Sequence, residues 1–474
     1  MRIDQCLEGN EYRVGHGVYS SHTMSDATPT TGRFRYAIVA LLFLVTSINY
    51  ADRSILAITA PVLAKDLGID SLALGWVFSA FGWAYVIAQV PGGWLLDRFG
   101  SRRVYFCSIL LWSVVTAAQA LLSFGSGYSA VVALFVLRLM IGFAEAPAFP
   151  GNARVVAAWF PARERGTASA IFNSAQYFAT VLFAPLMGWI THTLGWPWTY
   201  GFMGALGIVV AFVWLKVMND PARHPRVGPA ELKLIVDGGG MADLDGAPRA
   251  ARQRFTLQQI KVLFTDRSMI GLYIGQFAIN TLTYFFITWF PVYLVQERGL
   301  SLVEAGFAAS LPAICGFAGG VLGGVWSDQL LRGGSSLTRA RKTPVVTGML
   351  VSLAIIGCNY VDSPAMVLVF MSVAFFGKGI GALGWAVMAD VAPRQLAGLS
   401  GGIFNTFGNL SSIVTPIVIG AIVQFTGSFD MALIFVAANA LLAVVSFLFV
   451  IGQIRRIEIA PVAALSTAPT PPGP

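Results

Sequence analysis

Five ionisable residues stand inside long apolar runs: Asp52 and Arg53 in "SINYADRSILAI", Arg138 and Glu145 in "FVLRLMIGFAEAPAFPGN", and Lys378 in "VAFFGKGIGALGW". Their types allow two kinds of chemistry. A carboxyl takes up and releases a proton, and a guanidinium or ammonium holds an anion. Each such group within hydrocarbon costs about 2.5–3.5 kcal/mol on insertion scales, so each is a functional candidate. Arg138 and Glu145 are seven residues apart, which puts them on one face of a helix. Burial disfavours a charged carboxylate and a nearby arginine favours it, so an anion that alters this balance couples its own binding to protonation. On the competing structural reading, Asp52, Arg53, Arg138 and Glu145 merely neutralise one another and join two helices. Lys378 has no acid within one turn, since Asp390 is twelve positions away, and a bound anion is its simplest counter-ion. Gly377 and Gly379 on either side are expected to thin the helix and leave room for a ligand oxygen.

Uncharged polar residues extend the pattern. Tyr85 and Gln89 are one turn apart, Asn173 and Gln176 share a face, and Gln276, Asn280 and Tyr284 step by four, as do Asn405, Asn409 and, nearly, Ser412. Singly, each fits helix–helix hydrogen bonding. Together they outline a cavity for a many-hydroxyl solute. Trp385 offers either an apolar face to such a solute or an anchor at the membrane interface. Enzyme chemistry finds little support: there is no His-Glu-x-x-His, and His16, His22, His192 and His224 fall in tails or loops. Cys6, Cys107, Cys315 and Cys358 show no metal-ligand spacing, so neither a metal nor an organic cofactor is expected.

The elements that must position these residues are membrane helices. Only 11% of the 474 residues are charged and 56% are hydrophobic, whereas a soluble domain carries about 25% charged residues. Twelve runs reach membrane length: 35–62, 72–96, 104–124, 130–152, 167–190, 198–217, 269–295, 302–326, 344–361, 364–389, 399–423 and 429–451. The even-numbered connections hold Arg98, Arg102 and Arg103; Arg163 and Arg165; Arg332, Arg339, Arg341 and Lys342; and Arg394. Odd-numbered connections offer little beyond Lys65 and Arg298, so both termini are expected in the cytoplasm. The net charge of +8 is therefore topological and gives no reason to invoke nucleic acid.

The expected organisation is all-α, with twelve transmembrane helices in two pseudo-symmetric six-helix halves, 34–217 and 268–452. A polar tail, 1–33, expected to be disordered, precedes them, with Met24 as an alternative start; a second tail, 453–474, follows. The middle segment, 218–267, is expected to hold one short helix, "PAELKLIVD" (229–237), before a linker, "MADLDGAPRAARQR". The halves echo one another: "GGWLLDRFGSRR" (92–103) follows the second run and "GGVWSDQLLRGG" (323–334) the eighth. In the first copy, Gly93 is expected to permit close helix approach. Asp97 would bind a neighbouring helix N-terminus, and Arg98, Gly100, Arg102 and Arg103 would complete a conformational latch.

That loop resembles the signature of the major facilitator superfamily. From Tyr36 to Arg456 the chain is similar to its anion:cation symporters, and most of all to the bacterial sugar-acid branch, on "NYADRS" (49–54), "GWAYVIAQVPGGWLLDRFG" (82–100), "RLMIGFAEAPAFPGN" (138–152), the block 157–189 and "GNLSSIVTPIVIG" (408–420). The resemblance implies proton coupling through Asp52 and Glu145, sugar-acid contacts from Tyr50, Arg53, Tyr85, Gln176, Trp385 and Asn405, and Arg138 as the charge partner of Glu145. "FFGKGIGALGWAVMAD" narrows it to glucarate and galactarate carriers, whose two-ended substrates suit Arg53 and Lys378, with Tyr284 and Asn409 in the same lining. The expected protein is a monomeric importer of a small organic anion in a bacterial plasma membrane, with the proton as coupling ion. A monocarboxylate sugar-acid carrier and a drug or metabolite antiporter are the alternatives.

Overall fold

Hydrocarbon offers no partners for backbone N–H and C=O groups, so apolar runs of this length fold as helices that bond internally. A computed structural model of the protein describes residues 32–124, 127–243, 257–393 and 396–458. It contains twelve helices of membrane-crossing length: α1 Phe34–Leu67, α2 Ser71–Phe99, α3 Ser101–Ser123, α4 Gly127–Trp159, α5 Arg165–Leu194, α6 Trp196–Val217, α7 Arg267–Thr288, α8 Leu302–Arg332, α9 Leu337–Tyr360, α10 Pro364–Val391, α11 Gly398–Thr426 and α12 Asp430–Val450. Among the described residues there is no strand. The tail through residue 31 with Met24, the linker residues 244–256, Arg394 and the tail from residue 459 lie outside the described residues.

Several helices outrun the apolar stretches that signalled them. α4 continues to Trp159, α8 to Arg332, and α9 begins at Leu337. A hydropathy boundary stops at the first charges, but a helix need not, because arginines on its last turns extend their heads into the polar layer. Two helices are broken inside the bundle. The turn at Ala146–Pro147 interrupts α4, where Pro147 lacks an N–H and crowds the preceding turn. The helical path of α10 is lost over Gly381–Leu383. These helices hold equivalent places in the two halves. Glu145 directly precedes the first break, and Lys378 lies three residues before the second.

Contact between the halves runs mainly through two pairs, α2 with α11 and α5 with α8. Both pairs pack backbone to backbone at one end of the bundle. A Cβ on Gly75 of α2 would lie 2.6 Å from the Pro416 carbonyl oxygen of α11, and one on Gly306 of α8 would lie 2.7 Å from that of Ala184 on α5. Trp289 seals the centre, 5.4 Å from the Phe78 ring, with its Nε1 donating to Pro416 O at 3.1 Å. At the other end, which carries the basic loops and the middle segment, the halves part around a cavity of about 1380 Å³.

The helix Pro229–Asp237 forms as expected and docks against the first half. Its Glu231 is fully buried and caps α1 from outside the helix, accepting from Phe34 N at 3.1 Å and Arg35 N at 3.0 Å. Arg35 pairs with Glu231 at 3.4 Å and with Glu164 at 3.0 Å, tying α1 to the α4–α5 connection. A further helix, Leu257–Thr265, occupies part of the segment read as a loop. It is held to the second half by Tyr273, whose OH donates to Leu263 O at 3.0 Å.

Since Glu231 satisfies the first N–H groups of the helix that carries Tyr50 and Arg53, Glu231→Ala is expected to cost about 3 kcal/mol, as for a buried pair losing one partner. In detergent this should lower the melting temperature by roughly 5 °C. Glu231→Gln, which keeps an acceptor, should lose less. Equal melting temperatures for all three proteins would contradict this role.

Candidate functional site

The charge cluster is built by α1 and α4 in the first half. Asp52, Arg53, Arg138 and Glu145 are all buried, none more than 6% exposed. Arg53 Nε donates to Glu145 Oε2 at 2.9 Å. Aromatic rings hold the guanidinium in place: its carbon lies 5.0 Å from the Tyr50 ring centre, 4.7 Å from Phe81 and 4.8 Å from Tyr85. Arg53 lines the large cavity and Glu145 does not, so the arginine stands between the carboxylate and the cavity. Arg138 and Glu145 are not in direct contact: two helical turns separate them along the axis, about 10 Å, and Arg138 Nη1 donates to the Asp52 carbonyl oxygen at 3.4 Å, so its charge acts on Glu145 through space.

Among the described residues, neither carboxyl oxygen of Asp52 has a hydrogen-bond partner, nor do Glu145 Oε1 and Arg53 Nη2. Buried polar atoms are seldom left so. The two acids differ: both oxygens of Asp52 are open, whereas Glu145 keeps one oxygen open and holds Arg53 with the other. Among the described residues, no cluster of three or more His, Cys, Asp or Glu could hold a metal ion.

The cavity brings together Tyr50, Arg53, Tyr85 and Gln176 from the first half and Tyr284, Lys378, Trp385, Asn405 and Asn409 from the second. An amide chain crosses its wall. Tyr284 OH donates to Asn409 Oδ1 at 2.8 Å, Asn409 Nδ2 to Asn405 Oδ1 at 3.1 Å, and Asn405 Nδ2 to Gln89 Oε1 on the opposite half at 3.0 Å. Trp385 stands on the cavity wall against Phe404, its ring centre 5.0 Å away. Ser412 turns aside, donating to Asn409 O at 2.6 Å within its own helix. Phe149, Phe172, Tyr177 and Phe264 also line the space and were not foreseen. An aromatic side chain facing a cavity has the same sequence signature as one facing lipid, and Phe264 sits on the unforeseen helix.

Lys378 is 6% exposed, lines the cavity with Nζ 5.1 Å from the Phe375 ring centre, and has no ion-pair partner among the described residues. Its flanking glycines make no room for a ligand. A Cβ on Gly377 would come within 2.8 Å of Ser352 N on α9, and one on Gly379 within 2.8 Å of Gly320 N on α8. They let three backbones close together, which fixes the lysine's helix rather than widening the cavity.

The loop after α2 also departs from expectation. A Cβ on Gly93 would meet open space, and it is Gly92 that permits close approach, 3.1 Å from Pro147 N at the α4 break. Among the described residues, Asp97 meets a side chain and not the expected neighbouring helix N-terminus: it pairs with Arg154 on α4 at 2.6 Å. Arg98 packs over Trp94 and Phe99, Gly100 takes φ 82° at the α2–α3 turn, and Arg102 donates to Leu215 O at 2.7 and 3.2 Å. The second copy holds Arg341 between Asp390, at 2.8 Å, and Asp328, at 3.7 Å.

The sequence profile described as Major Facilitator Superfamily matches residues 42–416. The chain is 60% identical over 431 residues (90% of this chain, 96% of the relative) to the Escherichia coli K12 protein named "Probable galactarate/D-glucarate transporter GudP". It is 59% identical over 425 residues (90% and 93%) to the Bacillus subtilis 168 protein of the same name. The solved structure of a D-xylose–proton symporter superposes with TM-score 0.66 at 16% identity, covering 89% of this chain and 99% of that one, a likeness of fold alone.

Asp97 is 72% exposed in its pair, where a salt bridge contributes about 0–1 kcal/mol. Asp97→Asn is therefore expected to leave melting temperature and ligand affinity nearly unchanged while lowering turnover, measured as equilibrium binding beside initial uptake rate. A large loss of affinity in folded protein would contradict a latch role.

Proposed function

The chain belongs to the major facilitator superfamily, and from that premise we propose that it imports galactarate and D-glucarate with protons by alternating access. One observation carries the reading: Arg53 faces the cavity while holding Glu145 behind it, and Lys378 faces the same cavity from the other half with no acid of its own. One substrate carboxylate takes Arg53 and draws it from Glu145. Without its cation the buried Glu145 binds a proton, and Asp52, the residue before Arg53 on α1 with both oxygens open, shares the load. The second carboxylate takes Lys378. With each cation neutralised and the ligand bridging both halves, the cavity can close around an uncharged ensemble.

The basic loops support a cytoplasmic position for the open end, and hence for both termini. On that orientation the conformation is inward-open, and the Gly75 and Gly306 contacts form the external gate. One chain supplies both walls of the cavity, which supports a monomeric working unit. The bacterial relatives support a place in the inner membrane.

Uptake into proteoliposomes, with a panel of sugar acids and with or without a proton gradient, tests the reading: galactarate and glucarate should accumulate only with the gradient. Asp52→Asn and Glu145→Gln should each abolish gradient-driven accumulation while leaving counterflow exchange. Accumulation retained by both variants would remove these residues from coupling. Losing one charge-assisted contact costs about 1.5–3 kcal/mol, roughly 10- to 150-fold in affinity. Lys378→Met should therefore weaken galactarate binding by that factor and gluconate binding much less. Equal losses for the two ligands would contradict a carboxylate contact at Lys378.

A further inference from the structure

On the sealed side of the cavity floor lies a second, smaller void of about 40 Å³, bordered by Tyr50, Ser54, Gln176, Thr180 and Thr283 and closed by Phe290. Ser54 and Thr180 each lie one turn beyond a cavity residue, Tyr50 on α1 and Gln176 on α5, while Thr283 precedes Tyr284 on α7. A water needs about 10–15 Å³ of such space, so the void takes roughly three ligand or water oxygens.

Its hydrogen-bonding groups are all uncharged. Ser54 Oγ donates to Tyr50 O at 3.0 Å, Thr180 Oγ1 to Gln176 O at 3.3 Å, and Gln176 Nε2 to Asn173 O at 3.2 Å. Those bonds commit the two hydroxyl protons and one of the two Gln176 amide protons, which leaves the two hydroxyl oxygens and Gln176 Oε1 as acceptors. Thr283 Oγ1 is buried and, among the described residues, has no partner at all. No charged side chain borders the void. Such a lining offers a carboxylate no counter-charge, whereas an O–H group finds neutral partners of both kinds: the Ser54, Thr180 and Gln176 oxygens as acceptors, and the Thr283 hydroxyl and the phenols of Tyr50 and Tyr177 as donors.

We infer that this void is a hydroxyl-binding subsite in which Ser54, Thr180 and Thr283 read the secondary alcohols of the substrate. The inference rests on the proposed function, in which both carboxylates are taken by Arg53 and Lys378. It adds that the substrate is sorted twice, by its charged ends at the cations and by its alcohols on the sealed side. The three hydroxyls come from both halves, so they are also the contacts that change when the external gate opens.

The test is equilibrium binding of two ligands to the purified full chain: galactarate, and adipate, the six-carbon dicarboxylate without hydroxyls. Ser54→Ala, Thr180→Val and Thr283→Val each remove one hydroxyl at little change of volume. A neutral hydrogen bond is worth roughly 3- to 10-fold in affinity, so each variant should weaken galactarate by that factor while binding adipate as the wild type does. Equal weakening of both ligands would make the hydroxyls structural, and undiminished galactarate affinity in all three variants would place alcohol recognition elsewhere. Either result overturns the inference, and the second is readable even where adipate binds too weakly to measure. A wild type that binds neither galactarate nor D-glucarate would instead overturn the proposed function.

Discussion

The pair between Arg53 and Glu145 is the constraint around which the rest of the structure is arranged. Two opposite charges in a membrane interior are tolerated only while each has its partner, and removing one leaves the other uncompensated at a cost of about 3–5 kcal/mol. Arg53 is the member that a solute can reach, held toward the cavity by Tyr50, Phe81 and Tyr85. Glu145 is the member that it cannot. On the proposed function, an anion in the cavity competes with a buried carboxylate for one cation, and the displaced carboxylate takes a proton. Binding and protonation would then be linked through a single hydrogen bond, with no moving part beyond a guanidinium.

The scaffold keeps that hydrogen bond in register while allowing the halves to rock. α1, which carries Asp52 and Arg53, is capped by Glu231 and clamped through Arg35 to the α4–α5 connection, so the residues that exchange charge ride on one rigid half. α4 and α10 each break just after their buried charge, and tight glycine contacts wedge α10 between α8 and α9. Rigid placement of Lys378 matters because its counter-ion must arrive with the ligand. Across the interface, glycine-mediated contacts at one end oppose open space at the other. Helices that pack backbone to backbone separate without unwinding.

The twelve helices and their pairing into halves were legible because hydrocarbon imposes one rule on every span. The buried ionisable residues of the candidate site were legible for the same reason, since charge inside an apolar run is costly and therefore conspicuous. What sequence could not supply was partner identity. Arg138 and Glu145 share a face, yet Glu145 pairs with Arg53, because facing helices decide contacts that spacing along one helix cannot. Gly93 and Gly92 differ by one position, and only the packing of α2 on α4 says which is needed. Ser54, Thr180 and Thr283 were invisible as a group, being common membrane-helix residues whose significance lies in an unpartnered oxygen and a void.

On the proposed function, substrate takes Arg53 from Glu145 and a proton replaces it. Calorimetry of galactarate binding to the purified protein, in buffers of differing ionisation enthalpy, measures that proton directly. Binding at neutral pH should take up protons from the buffer, and Glu145→Gln should lose much or all of that uptake while still binding galactarate. Binding heats that are the same in every buffer, or proton uptake that survives intact in Glu145→Gln, would contradict the account.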